Sequence, residues 1–207
     1  MIRLFIAIPI ELPEPACDAY EELAALGSFV KLTSLENLHL TLRFIGEVPR
    51  TTIEPIAEVL DELQEEYGFE ARTIKLTSVA RFPSTKRHPP RVVFVKIDED
   101  SERFVTEVSE KINAALEEMS PSIPRLDRNV VPHVTLCRVK DQEKAALKIE
   151  KIIEKTNQRI ESEPEQALGA VRADRIELIA STLTGDGAFY NTQHEVELTH
   201  FPKPPQT

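Results

Sequence analysis

The chain is poor in cysteine, with only Cys17 and Cys137 among its 207 residues. Two thiols make no disulfide framework, so a reducing cytoplasm is the expected compartment. No apolar run approaches the length of a membrane span. The opening Met1-Ile2-Arg3-Leu4-Phe5-Ile6-Ala7-Ile8-Pro9 is too short for a signal peptide and reads as a first strand. Positive charge is short as well: 25 Lys and Arg stand against 35 Asp and Glu, a net charge of −10. That balance counts against a non-specific nucleic-acid binder, whose affinity is largely electrostatic. It leaves room for an enzyme that binds a single phosphate group, which needs only a local basic cluster. The acids gather at 11–22, 54–66 and 141–154, where a solvated helix face explains them. Tryptophan is absent altogether, and no segment is low in complexity.

What is present is one sizeable domain's length, or two small lobes, with 41% hydrophobic residues to fill a core. Two stretches stand out because they repeat. Asn37-Leu38-His39-Leu40-Thr41-Leu42-Arg43-Phe44-Ile45-Gly46 and Val131-Pro132-His133-Val134-Thr135-Leu136-Cys137-Arg138-Val139 both carry His, aliphatic, Thr, Leu within a run of β-formers. Side chains alternate along a strand, so His39 and Thr41 share one face while Leu40 and Leu42 share the other. His133 and Thr135 stand in the same relation to Val134 and Leu136. Each copy buries aliphatics and turns an imidazole and a hydroxyl the opposite way. Strict alternation adds Arg43 to the His39 face and Cys137 to the His133 face, and sets Arg138 opposite.

Taken in order, residues 2–8 alternate as a strand, and Pro15 opens a helix that runs to about 26 and stops at Gly27. Val30 and Leu32 suit a short strand before the first histidine strand, which ends at Gly46. A second helix carries Ile53, Ile56, Ala57, Leu60 and Leu63 on one stripe, with Gly68 at its end. Residues 69–79 read as a strand. The basic, proline-rich run 81–91 is a connector, either merely exposed or a flap over substrate. Further expectations are a strand over 92–97, a helix over 101–119 broken by Pro121 and Pro124, the second histidine strand over 130–139, and a helix over 141–157. Strands over 170–181 and 189–198 flank the turn 184–187, and the tail after His200 frays. Two similar halves, each with its own antiparallel or mixed sheet and packed helices, account for this order. Polar faces on the strands argue against a doubly wound parallel sheet.

Two histidines at one phase allow three readings. Opposed imidazoles suit in-line displacement at phosphorus, one taking a proton and one giving it, with Thr41 and Thr135 donating to phosphate oxygens. Metal ligation wants a third and fourth ligand, and only Cys137 is in sight. A purely structural role explains one copy better than two. His88, His194 and His200 have no comparable setting and read as surface residues. Cys137 reads as a small apolar strand residue.

The pair of motifs resembles the 2H phosphoesterase superfamily, in its branch of RNA 2′,3′-cyclic phosphodiesterases, also called 2′-5′ RNA ligases. The likeness runs over most of the chain. It takes in the opening strand 3–8, the first motif 36–46, Phe82-Pro83 with Pro90-Arg91-Val92-Val93, the second motif 132–139, and Leu178, Ser181, Leu183, Gly187 and Tyr190. Relatives often carry tryptophans where Leu32 and Phe94 stand here, which bears on substrate stacking more than on chemistry.

The resemblance implies a bilobal α+β fold with a pseudo-two-fold axis and a central cleft, the whole of 1–207 forming one bilobal domain. It implies cofactor-free, metal-independent hydrolysis of an RNA 2′,3′-cyclic phosphate to a 2′-phosphate, and in some relatives the reverse joining of tRNA halves. His39 and His133 are then catalytic, with His133 favoured as base and His39 as acid. Thr41 and Thr135 bind phosphate, Arg138 corresponds to a substrate-contacting arginine, and Arg43 is a rival source of positive charge. Phe5 is a candidate for stacking on the terminal base, with ordinary core as its other reading. The implied partner is RNA with a cyclic phosphate end, tRNA fragments included. No protein partner or membrane is implied, and a monomer is expected. Two other functions stay open: a non-catalytic RNA-end or nucleotide-binding module, and a phosphodiesterase for small cyclic nucleotides.

Overall fold

A computed structural model describes residues 1–119, 123, 131–162, 168–183 and 188–199. The turn at 184–187, Pro121, Pro124, Val130 and the tail from His200 lie outside the described residues. The chain is α+β and runs β1 (Ile2–Pro9), α1 (Glu14–Ala24), β2 (Val30–Leu32), β3 (His39–Val48), α2 (Ile53–Tyr67), β4 (Arg72–Phe82), β5 (Val92–Ile97), α3 (Glu99–Met119), β6 (Val134–Val139), α4 (Gln142–Ser162), β7 (Ala170–Ala173), β8 (Arg175–Leu183) and β9 (Ala188–Glu197). No helix among the described residues is long and apolar enough to cross a membrane.

The strands join in the order β7-β4-β5-β6-β3-β1-β8-β9, with β2 on the edge of β6. Every ladder between them is antiparallel. The expected two halves are visible as two half-sheets that meet at one ladder pair, Leu40 with Val134. Around that pair the order is its own mirror. The unit β1-α1-β3-α2 matches β5-α3-β6-α4, while β8 and β9 flank one side as β4 and β7 flank the other. The two halves therefore share one curled sheet. Its far ends approach each other where Thr199 bonds to Phe69 and Ala71, just before β4.

Local chemistry accounts for the element ends. Gly68 stops α2 in the left-handed region at φ 56°, its N–H bonded to the Gln64 carbonyl. Asp98 accepts from the Ser101 N–H at the start of α3, and Asp141 does the same for Lys144 before α4. Several boundaries differ from expectation: β3 runs past Gly46 to Val48, β4 begins at Arg72 and β6 at Val134. Strand β4 extends to Phe82, taking in the start of the basic run. Helix α4 continues past Asn157, because that side chain does not terminate the helix. Its amide instead donates to and accepts from the Val79 backbone at 2.9 Å each way, covering an open edge of β4. The strand expected over 170–181 is two, broken at Asp174, where the chain leaves β4 for β1.

The main core lies on one face of the sheet. Leu4, Ile6, Ile8, Leu40, Leu42, Val134 and Leu136 pack there with Leu23, Ile56, Leu60, Ile112 and Ile149 from the helices. A smaller cluster of Phe5, Ala7 and Ile179, with Tyr190 against it, lies on the other face. That second face carries the histidines.

Candidate active site

Strands β3 and β6 share the single ladder pair Leu40–Val134, and both of these side chains are in the core. Antiparallel pairing about that point brings His39 to the level of Thr135, and Thr41 to the level of His133. All four are on the face opposite the core. The expected meeting of the two motifs is therefore a consequence of the seam between the half-sheets. Beyond the one pair the strands are not laddered, which leaves a cleft along it.

Bulges decide which further side chains reach this cleft. Along β1 and β3, Ile6 faces Arg43 and Ala7 faces Thr41, so Leu42 is an extra residue. Leu42 and Arg43 then both turn to the core, and the Leu42 carbonyl accepts from Ser109 Oγ on α3 at 2.7 Å. This overturns the expectation for Arg43. It is opposite Ile6 and 0% exposed, behind the sheet from the histidines. Burial pushes its pKa down, with the Glu117 charge acting the other way.

The matching bulge in β6 is at Leu136, since Phe94 faces Thr135 and Val93 faces Cys137. Its carbonyl accepts from the Thr33 N–H at 2.8 Å. The shift turns Cys137 into the core, where burial pushes its thiol up to about 12. It also brings Arg138 level with Val92, on the cleft face with His133 and Thr135. Strict alternation had these two residues the wrong way round. Cys137 is thus removed from the histidines, and among the described residues no group of three or more His, Cys, Asp or Glu is placed to hold a metal ion.

Aromatic rings wall both histidines. Phe5 lies 5.0 Å and Tyr190 5.7 Å from the His39 ring. Phe94 lies 5.0 Å and Phe82 5.2 Å from His133. Phe5 is on the cleft face as expected, but only 4% exposed. The open ring on that side is its neighbour Phe44, 56% exposed at a centroid distance of 6.3 Å. Phe44 follows Thr41 by three residues, as Arg138 follows Thr135. Alternation hid Phe44, because only the bulge turns it to this face.

Each histidine makes the same local bond. His39 Nδ1 is 2.7 Å from the Asn37 carbonyl, and His133 Nδ1 is 2.6 Å from the Val131 carbonyl. A carbonyl only accepts, so Nδ1 carries the proton in both rings and Nε2 is left for chemistry. Burial pushes both pKa values below the usual histidine value. The charges around them differ. At His39 the carboxylate of Glu177 favours the imidazolium, while a charge on His133 opposes it. At His133 the guanidinium of Arg138 opposes it. Glu177 lies opposite Ala7, itself opposite Thr41. It is buried, and accepts from Arg175 Nε at 2.9 Å and from Thr192 Oγ1 at 2.8 Å. Nothing local in the sequence marks it, since β8 reaches β1 from far along the chain. Of the remaining histidines, His88 is exposed. His194, partly exposed, sits 2.9 Å from Asp61.

The family model for the 2′-5′ RNA ligase superfamily matches residues 12–183. A Thermotoga maritima protein named RNA 2′,3′-cyclic phosphodiesterase is 31% identical over 198 residues, covering 95% of each chain. One of the same name from Methanocaldococcus jannaschii is 29% identical over 198 residues, 94% of this chain and 99% of that one. Among solved structures, the protein TT0787 of Thermus thermophilus superposes with a TM-score of 0.65 at 23% identity, over 95% of this chain and 98% of that one. E. coli LigT complexed with 3′-AMP superposes with 0.64 at 18% identity, over 96% and 98%. These two likenesses extend to the fold alone. With the two motifs on one cleft and most of its length matched, the chain belongs to the 2′-5′ RNA ligase superfamily.

Proposed function

We propose that this chain is a cytoplasmic, monomeric enzyme that hydrolyses RNA 2′,3′-cyclic phosphate ends to 2′-phosphates, tRNA fragments among them. The observation that carries this reading is the pair of imidazoles on one cleft face, each with Nδ1 engaged and Nε2 available. Water attacks phosphorus as His133 Nε2 takes its proton. The bond from phosphorus to O3′ breaks, and O3′ leaves with the proton from His39 Nε2. Thr41, Thr135 and Arg138 bind the non-bridging oxygens, where donors aimed at developing charge are most effective. Phe5 backs the His39 ring and, with Phe44 beside it, forms the apolar side on which the terminal base rests. The division of roles follows the charges: Arg138 disfavours a proton on His133, whereas Glu177 favours one on His39. A 5′-hydroxyl in place of water yields a 2′-5′ linkage through the same geometry.

The test is a short RNA ending in a 2′,3′-cyclic phosphate, incubated with chelator and followed by phosphorus NMR. A 2′-phosphate is expected, with His39→Ala and His133→Ala each slower by about 10²–10⁴-fold. A 3′-phosphate would reverse the bound polarity. RNA held tightly and left uncleaved would make the chain a binding module.

A further inference from the structure

We propose that a groove leading away from His133 along β4 and β5 is a subsite for the nucleotide preceding the cyclic phosphate. On this view the substrate is an oligonucleotide and not a free cyclic nucleotide. The inference rests on the reading above and adds the substrate's length to it.

The groove has a volume of about 500 Å³ and is lined by Ser78, Phe82, Lys86, Phe94 and Lys96, among others. That volume suits a small ligand or one nucleotide unit. It adjoins the catalytic cleft through Phe82 and Phe94, the two rings that wall His133, and is bordered on its other side by Glu150, Ile153 and Asn157 of α4. Along β5 the cleft-face residues are Val92, opposite Arg138, then Phe94, opposite Thr135, then Lys96. Lys96 therefore stands roughly 7 Å beyond Phe94, two strand residues on. A phosphate at the histidines and a second one at Lys96 lie on one continuous path past an aromatic wall. Phe82, partly exposed and stacked on Phe94 at 4.3 Å, presents a ring to a base on that path.

Charge points the same way. The chain carries a net −10, yet here Lys86 and Lys96 are both exposed and in no ion pair among the described residues. Of the two acids on the rim, Glu150 is held by Arg81, which leaves Glu102. Arg81 also donates to the Pro83 and His88 carbonyls at 2.7 and 2.8 Å, and so fixes the loop that carries Lys86. Lysines beside an aromatic wall are how single-stranded nucleic acid is held without reading its sequence.

The experiment compares a nucleoside 2′,3′-cyclic phosphate with a dinucleotide and a tetranucleotide ending in the same group. In the wild type, kcat/KM rises by about tenfold or more from one nucleotide to two and then levels off. In the Lys86→Ala/Lys96→Ala double variant that rise is lost, while the mononucleotide rate stays within about twofold. The salt dependence of the oligonucleotide rate falls by a log–log slope of about 0.7 for each lost contact. Equal wild-type rates on all three, or a double variant equally slow on the mononucleotide, would overturn the subsite. If none of the three is cleaved, the hydrolytic reading fails. Anisotropy of a labelled tetranucleotide then decides the subsite separately: weaker binding by the double variant upholds it, and unchanged binding removes it.

Discussion

His39 and His133 share a sequence motif, a tautomer and an aromatic wall, and are distinguished by the charges that tertiary structure brings beside them. Both pKa values are pushed down by burial, so both lie below the ordinary value of about 6.5. In the proposed mechanism the base must be free and the acid protonated, so the optimum of kcat/KM is expected on the acid side of about pH 6.5. The pair titrates with two apparent values, which a wild-type profile cannot divide between the rings. Glu177→Gln can divide them. It removes the charge that favours the imidazolium at His39, so the alkaline limb moves to lower pH while the acid limb stays. A shift confined to the acid limb would make His39 the base.

At the scale of the element, the two bulges matter more than the strands they interrupt. Alternation in the sequence correctly foretold that His39 shares a face with Thr41, and His133 with Thr135. It failed two residues past the threonine in each copy. Arg43 went to the core and Phe44 to the cleft, while Cys137 and Arg138 exchanged faces. A bulge leaves a backbone carbonyl out of the ladder, and what satisfies it comes from elsewhere: Ser109 of α3 for Leu42, Thr33 for Leu136. Those partners lie far along the chain, so no local pattern announces the bulge. Ser109→Ala leaves the buried Leu42 carbonyl without its hydroxyl donor. We expect a loss of about 1–3 kcal/mol, read from the urea unfolding midpoint. An unchanged midpoint would mean that the bulge does not depend on Ser109.

Across the whole molecule, the halves are interlocked more than the repeat of motifs suggests. Helix α3 follows β5 in one half and packs on β3 in the other, while α2 packs against α3 and α1 against α4. Strands β8 and β9 return from the far half to complete the first sheet. The buried residues of both halves form one main core, so a single folding unit is expected. Calorimetry should give one transition whose van't Hoff and calorimetric enthalpies agree. Two resolved transitions would show that the lobes fold apart.

The sequence alone determined the repeated His-x-Thr strands, the apolar stripe of α2, the stop at Gly68 and the strand over 92–97. Each rests on a period or a backbone preference contained within a few residues. Tertiary structure decided that the two motifs meet at Leu40 and Val134, that Asn157 seals a strand edge instead of ending a helix, and that Asp174 divides one apparent strand into two. It also decided that Arg138, and not Arg43, shares the face of the histidines, and that Glu177 pairs with Ala7. Each of these depends on pairing between residues distant in the chain, and that pairing follows from how the sheet curls and what packs against it. Local periodicity shows which side chains share a face. Which faces come together is settled only when the whole core closes.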